Sequence, residues 1–196
     1  MGVLMAPILA LKRVNDVVLQ VGRAAAVVAL AIMVAVILAQ VFFRYVLNSA
    51  LPWPDEAARF MMLWMTGLIA PMAYRRGGFV AIDMLERALP ARLGTMLSLL
   101  LLVISLAVLV FAVRIGWSEV TGFSGQFSTA SLWVPVSITL DDWMRVPRSW
   151  MMASLLVGIV LLIVVSVELI LRQIVTLLGA GERLPPLAQV EIPEAE

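Results

Sequence analysis

The 196-residue chain contains neither histidine nor cysteine. It therefore lacks the usual protein ligands of haem iron, iron–sulfur clusters and catalytic zinc, has no thiol nucleophile, and forms no disulfide. No cofactor and no metal site is expected. Charge is also scarce. Asp, Glu, Lys and Arg make up 14% of the residues, where a soluble domain has about 25%. Fourteen basic and thirteen acidic residues leave a net charge of +1, with no basic block longer than Lys12-Arg13 or Arg75-Arg76, so nucleic-acid binding has no support. What is abundant is apolar surface, at 63% hydrophobic residues and a mean hydropathy of +1.05. One soluble core cannot bury that much, and the composition predicts an all-α integral membrane protein. A bilayer core about 30 Å thick takes roughly 20 helical residues.

Four apolar runs fit that length. Residues 21–43 form the first, interrupted only by Arg23 and Gln40; at 23 residues it exceeds the h-region of a signal peptide and no small-x-small cleavage site follows, so it is expected to be retained. The second, 54–74, opens on Pro54, whose fixed φ suits a first helical turn, and passes through Asp55, Glu56 and Arg59 before becoming apolar. Its purely apolar part is short enough for a re-entrant segment as well as for a full crossing. The third, 93–113, carries no charge, and the fourth, 148–171, again follows a proline. Between the second and third, residues 79–89 place Ile82, Leu85 and Leu89 on one face and Asp83, Glu86 and Arg87 on the other, the pattern of a short interfacial amphipathic helix. Residues 114–147 read as a long outer loop. Residues 1–178 are expected to form a single membrane domain, and the proline- and glutamate-rich residues 179–196 a disordered tail.

Nine of the fourteen basic residues fall before or at the start of the first run (Lys12, Arg13 and Arg23), between the second and third, or after the fourth. By the positive-inside bias both termini are expected in the cytoplasm. Trp53, Trp117, Trp133, Trp143 and Trp150 fall at the opposite boundary, where amphipathic indoles prefer to sit, and only Trp64 lies deep in a run.

No ionisable residue stands in the middle of a span, although carriers and pumps usually keep one for coupling. Glu168 and Arg172 are four apart near a span end, in the favourable order for a local helix pair. Small residues recur at helical spacing: Ala31, Ala35 and Ala39; Ser154 and Gly158; Ser98, Ser105 and Ala112. Such stripes let helix backbones approach closely in lipid. The densest polar stretch joins Arg44, Tyr45 and Asn48 to Trp53, Asp55, Glu56 and Arg59. Its carboxylates stand at a helix N-terminus and Arg44 at a helix C-terminus, as helix dipoles favour. Arg44 is placed to bridge to Glu56, or else to reach lipid phosphate while Glu56 pairs with Arg59. Gly77-Gly78 beside Arg75 and Arg76 has neither the preceding strand nor the following pattern of a phosphate-binding loop, and reads as a helix stop.

Phe43-Arg44-Tyr45, Asn48, Leu51-Pro52-Trp53-Pro54-Asp55-Glu56, Arg59, Trp64, Gly67, Arg75-Arg76-Gly77-Gly78 and Asp83 stand in an order and spacing that resemble the small membrane (Q-type) subunit of TRAP (tripartite ATP-independent periplasmic) transporters. Length and four-span layout extend the resemblance over nearly the whole chain. Two departures stand out: Phe79 occupies the position of a common histidine, and the outer loop is longer and carries Asp141-Asp142. The resemblance implies a bacterial inner-membrane subunit that braces a larger multi-span permease subunit. That larger subunit would hold the sodium and substrate sites, with a periplasmic binding protein delivering a small organic acid. It also implies that Arg44, Tyr45, Asn48, Trp53, Asp55, Glu56, Arg59, Arg75, Arg76 and Asp83 serve a subunit or lipid interface, and that the chain is not an enzyme. The alternatives are a stand-alone channel or carrier, which would need polar pore faces or repeated halves, and a membrane enzyme, which would need a convergent catalytic set.

Overall fold

A computed structural model describes residues 2–77, 89–135 and 143–179. Four long helices dominate it: α1 (Gly2–Tyr45), α2 (Pro54–Arg75), α3 (Ala91–Thr121) and α4 (Arg148–Leu177). Three of them, α1 from Pro7, α3 from Leu93 and α4, are long and apolar enough to cross a membrane. The shorter α2 is less apolar, because Asp55, Glu56 and Arg59 occupy its first turns. Mostly helical architecture agrees with the expected class, with one addition. Residues expected to form a plain loop contain a 3-10 turn, Phe123–Gln126, and an antiparallel hairpin of β1 (Ser128–Pro135) and β2 (Trp143–Pro147). The expected interfacial helix at 79–89 and the tail after Gly179 lie outside the described residues, apart from Leu89, which sits in a bend.

The helices pack in the order α1, α2, α4, α3, with α1 also touching α4. Burial follows from that order. A third of the most apolar window of α4 is buried, against 6% for α1 and α3, so α4 is the centre and the outer helices expose their apolar sides. α1 is longer than its expected span at both ends, running 44 residues without a break. Its buried positions Ile8, Asn15, Leu19, Gly22 and Ala26 are spaced by alternating threes and fours, or their sum, so one seam continues through the charged N-terminal third. Lys12, Arg13 and Asp16 therefore do not end the helix. α3 likewise continues two turns beyond its expected end, to Thr121.

Small residues set the central crossing. A Cβ added to Gly67 of α2 would lie 2.5 Å from the Ser154 carbonyl oxygen of α4, and one added to Gly158 would lie 2.9 Å from the Cα of Gly67. The Ser154/Gly158 stripe is thus the surface on which α2 rests. Ala31, Ala35 and Ala39 are exposed on α1.

Helix ends follow local chemistry. α2 starts at Pro54, with Asp55 and Glu56 in its first turn where the dipole favours negative charge. It stops where Gly77 takes φ 80°, a left-handed conformation that glycine adopts without a Cβ clash, and the N–H of Gly77 bonds the Tyr74 carbonyl. Asn48, with φ 50°, makes the corresponding turn after α1, as the asparagine side chain tolerates.

Candidate functional site

Polar chemistry is concentrated at the two ends of the bundle. At the end where α2 terminates, Glu168 of α4 is fully buried, at 0% exposure. Its Oε1 accepts hydrogen bonds from a terminal nitrogen of Arg75 at 2.8 Å and from Arg172 Nε at 3.0 Å, and its Oε2 accepts one from Asn15 Nδ2 at 2.6 Å. The other terminal nitrogen of Arg75 meets Asp16 Oδ1 at 2.5 Å. Arg75 and Arg172 are themselves buried, and Asp16 faces outward. Two guanidiniums and two carboxylates therefore balance in charge and tie α1, α2 and α4 together. Arg75 Nε has no hydrogen-bond partner among the described residues. Two residues before Glu168, Ser166 Oγ donates to the Leu162 carbonyl and lies 3.3 Å from the Tyr74 hydroxyl, a second polar contact between α2 and α4.

A buried carboxylate without partners costs several kcal/mol, so Glu168 fixes the position of every helix that supplies it with a donor. The Glu168–Arg172 pair is the local one that spacing predicts. Arg75, Asn15 and Asp16 join it only through the tertiary fold. Among the described residues no group of carboxylates is arranged to hold a metal ion.

At the opposite end, Glu56 in the first turn of α2 accepts hydrogen bonds from the β1 backbone N–H groups of Ala130 (3.0 Å) and Ser131 (2.6 Å) and from the Ser131 hydroxyl (2.7 Å). Ser131 Oγ is also 3.0 Å from the Pro52 carbonyl oxygen. The hairpin is thereby anchored to the turn between α1 and α2. This corrects the expected local pairing: among the described residues, Glu56 bridges neither to Arg44 nor to Arg59, because β1 occupies its carboxylate. Arg44 instead lies over the Tyr45 ring, 6.0 Å from its centroid.

The remaining sequence candidates are distributed as follows. Trp53, Asp55 and Arg59 are exposed around the start of α2, Tyr45 and Asn48 are exposed at the end of α1, and Arg76 is exposed just past α2. Asp83 lies outside the described residues. Arg75 and Arg76 thus part company, one inside the ionic cluster and one outside it. All five boundary tryptophans stand at the hairpin end and are exposed. Trp64 packs beside Phe60, and its Nε1 has no hydrogen-bond partner among the described residues.

A bundle of long apolar helices, with its buried charges neutralised at one end and tryptophans at the other, defines an α-helical membrane protein. The chain belongs to the DctQ component family of tripartite ATP-independent periplasmic transporters, whose family model matches residues 33–176. The match spans the hairpin, Glu56, Arg75, Glu168 and Arg172, while Asn15 and Asp16 precede it. No curated protein matches the chain. The protein is accordingly a membrane component of a transporter.

Proposed function

We propose that the chain is the small permease subunit of a sodium-coupled, binding-protein-dependent transporter for a small organic acid. In this reading it braces the large multi-span subunit, has no substrate site of its own and is not an enzyme. The observation that carries the reading is the cluster around Glu168. Its charges are directed at one another across three helices rather than into an open site, which suits a rigid support. The apolar exposed sides of α1 and α3 suit lipid and a large membrane partner.

The same reading puts the chain in the inner membrane with α2 as a fourth crossing. Its 22 residues give about 33 Å of helix, enough for a bilayer core, and it packs between α1 and α4. The ionic end and both termini then face the cytoplasm, and the hairpin faces the periplasm with its binding protein. Reporter fusions at Gly77 and within the hairpin are expected to give opposite signals; the same signal at both places would refute the fourth crossing.

Function is tested in liposomes with an inward sodium gradient and a panel of small organic acids. The chain alone should take up none, and the chain with its large subunit and binding protein should show saturable, sodium-dependent uptake. Saturable uptake by the chain alone would overturn the proposal.

A further inference from the structure

We propose that Trp133, Arg145 and Trp143 of the hairpin form a headgroup site for an anionic phospholipid. The proposal goes beyond the transporter reading and does not depend on it. Trp133 is directly opposite Arg145 in the antiparallel register, and Trp143 is two residues before Arg145 on the same strand. Opposite residues, and residues two apart, share one face of a sheet, so the guanidinium shares its face with two indoles. All three residues are exposed; on the other face Val146 is 1% exposed, and the pair Val134 and Met144 is exposed as well.

Arg145 lies over the Trp133 ring with its central carbon 4.8 Å from the centroid. A cation–π contact of this kind does not use up the N–H donors of the guanidinium as hydrogen bonds to a charged acceptor would. Among the described residues the Arg145 guanidinium meets no hydrogen-bond acceptor and no carboxylate. A guanidinium held over an indole with its N–H donors unengaged can present two of them to two oxygens of one phosphate.

Position selects the source of that phosphate. β2 runs directly into α4, so Arg145 is three residues, at most about 10 Å, from the first residue of an apolar helix long enough to cross a bilayer. Glu56 anchors the other strand to the first turn of α2, and Arg148 N–H bonds the Phe127 carbonyl, which holds the hairpin at that level. Headgroup layers begin there, and indoles flanking a cation partition into them. The exposed side chains of Phe123, Phe127 and Met144 on the same end add apolar area suited to the acyl boundary.

The test uses tryptophan fluorescence of the full chain in phosphatidylcholine vesicles. These carry an equal minor share of either brominated phosphatidylglycerol or brominated phosphatidylcholine. The anionic lipid is expected to quench more strongly. One arginine near an anionic surface contributes about 1 kcal/mol, so Arg145→Ala should reduce the preference about fivefold. Arg145→Lys, which keeps charge but loses the planar fork of donors, should retain only part of it, and Trp133→Phe should lower the difference in quenching. Excess soluble glycerophosphate should leave the preference unchanged. Equal quenching by the two lipids, or a preference that survives Arg145→Ala with unchanged circular dichroism, would overturn the proposal. So would loss of binding to a soluble acidic protein partner with the lipid preference intact, which would assign the face to that partner.

Discussion

Replacing Glu168 by alanine removes the one acceptor shared by Arg75, Arg172 and Asn15. Both arginines are buried, and breaking a buried ion pair by deleting one partner costs about 3–5 kcal/mol because the other charge stays behind. Asp16 still reaches Arg75, which puts the expected loss at the lower end, about 3 kcal/mol, or roughly a hundredfold in the folding equilibrium. The measurement is reversible unfolding in mixed micelles, with denaturing detergent titrated in and circular dichroism as the readout. Arg172→Leu in the Glu168→Leu background should cost much less than in the wild type, since removing charges together avoids the unpaired one. A Glu168→Ala loss below about 0.5 kcal/mol, within the range of an ordinary surface substitution, would refute the reasoning. So would simple additivity of the Glu168 and Arg172 changes.

Gly67→Ala and Gly158→Ala should each destabilise the α2–α4 crossing by about 1–3 kcal/mol in the same assay, because the added methyl meets backbone that cannot yield like a flexible side chain. Glu56→Ala should speed amide exchange at Ala130 and Ser131 while leaving exchange in the middle of α4 unchanged. Arg44→Ala and Glu56→Ala should have additive effects on co-purification with the large subunit, since the two side chains do not pair; a coupling above about 0.5 kcal/mol would contradict the anchored hairpin.

Much of the bundle was legible in the sequence because apolar length, proline starts and glycine stops are local signals. Pro54, Pro147 and Gly77 stand where the chain pattern places them. The Glu168–Arg172 pair was legible for the same reason, being one helical turn. Arg75 and Asn15 were not, since they lie 93 and 153 residues from Glu168 and no spacing rule connects them. The N-terminal third of α1 was obscured by Lys12, Arg13 and Asp16, which interrupt the hydropathy while the buried seam passes beside them. The hairpin was obscured because its register is irregular between Ser128 and Trp133, which breaks the alternation that marks a strand. Glu56 pointed to a helix start; of its real partners, the two backbone N–H groups of β1 leave no trace in side-chain identity, and the Ser131 hydroxyl lies 75 residues away, beyond any spacing rule.

The order in which the cluster is made bears on biogenesis. Arg75 is synthesised 93 residues before Glu168, which at about 5–20 residues per second is a wait of roughly 5–20 s. A lone guanidinium delivered to the bilayer in that interval would draw α2 back toward water. Asp16, made 59 residues before Arg75, is already at hand on α1 and can hold the α1–α2 pair as an insertion intermediate until α4 arrives. The outward-facing carboxylate that completes the charge balance of the finished bundle can thus also serve as the counter-ion of the nascent chain.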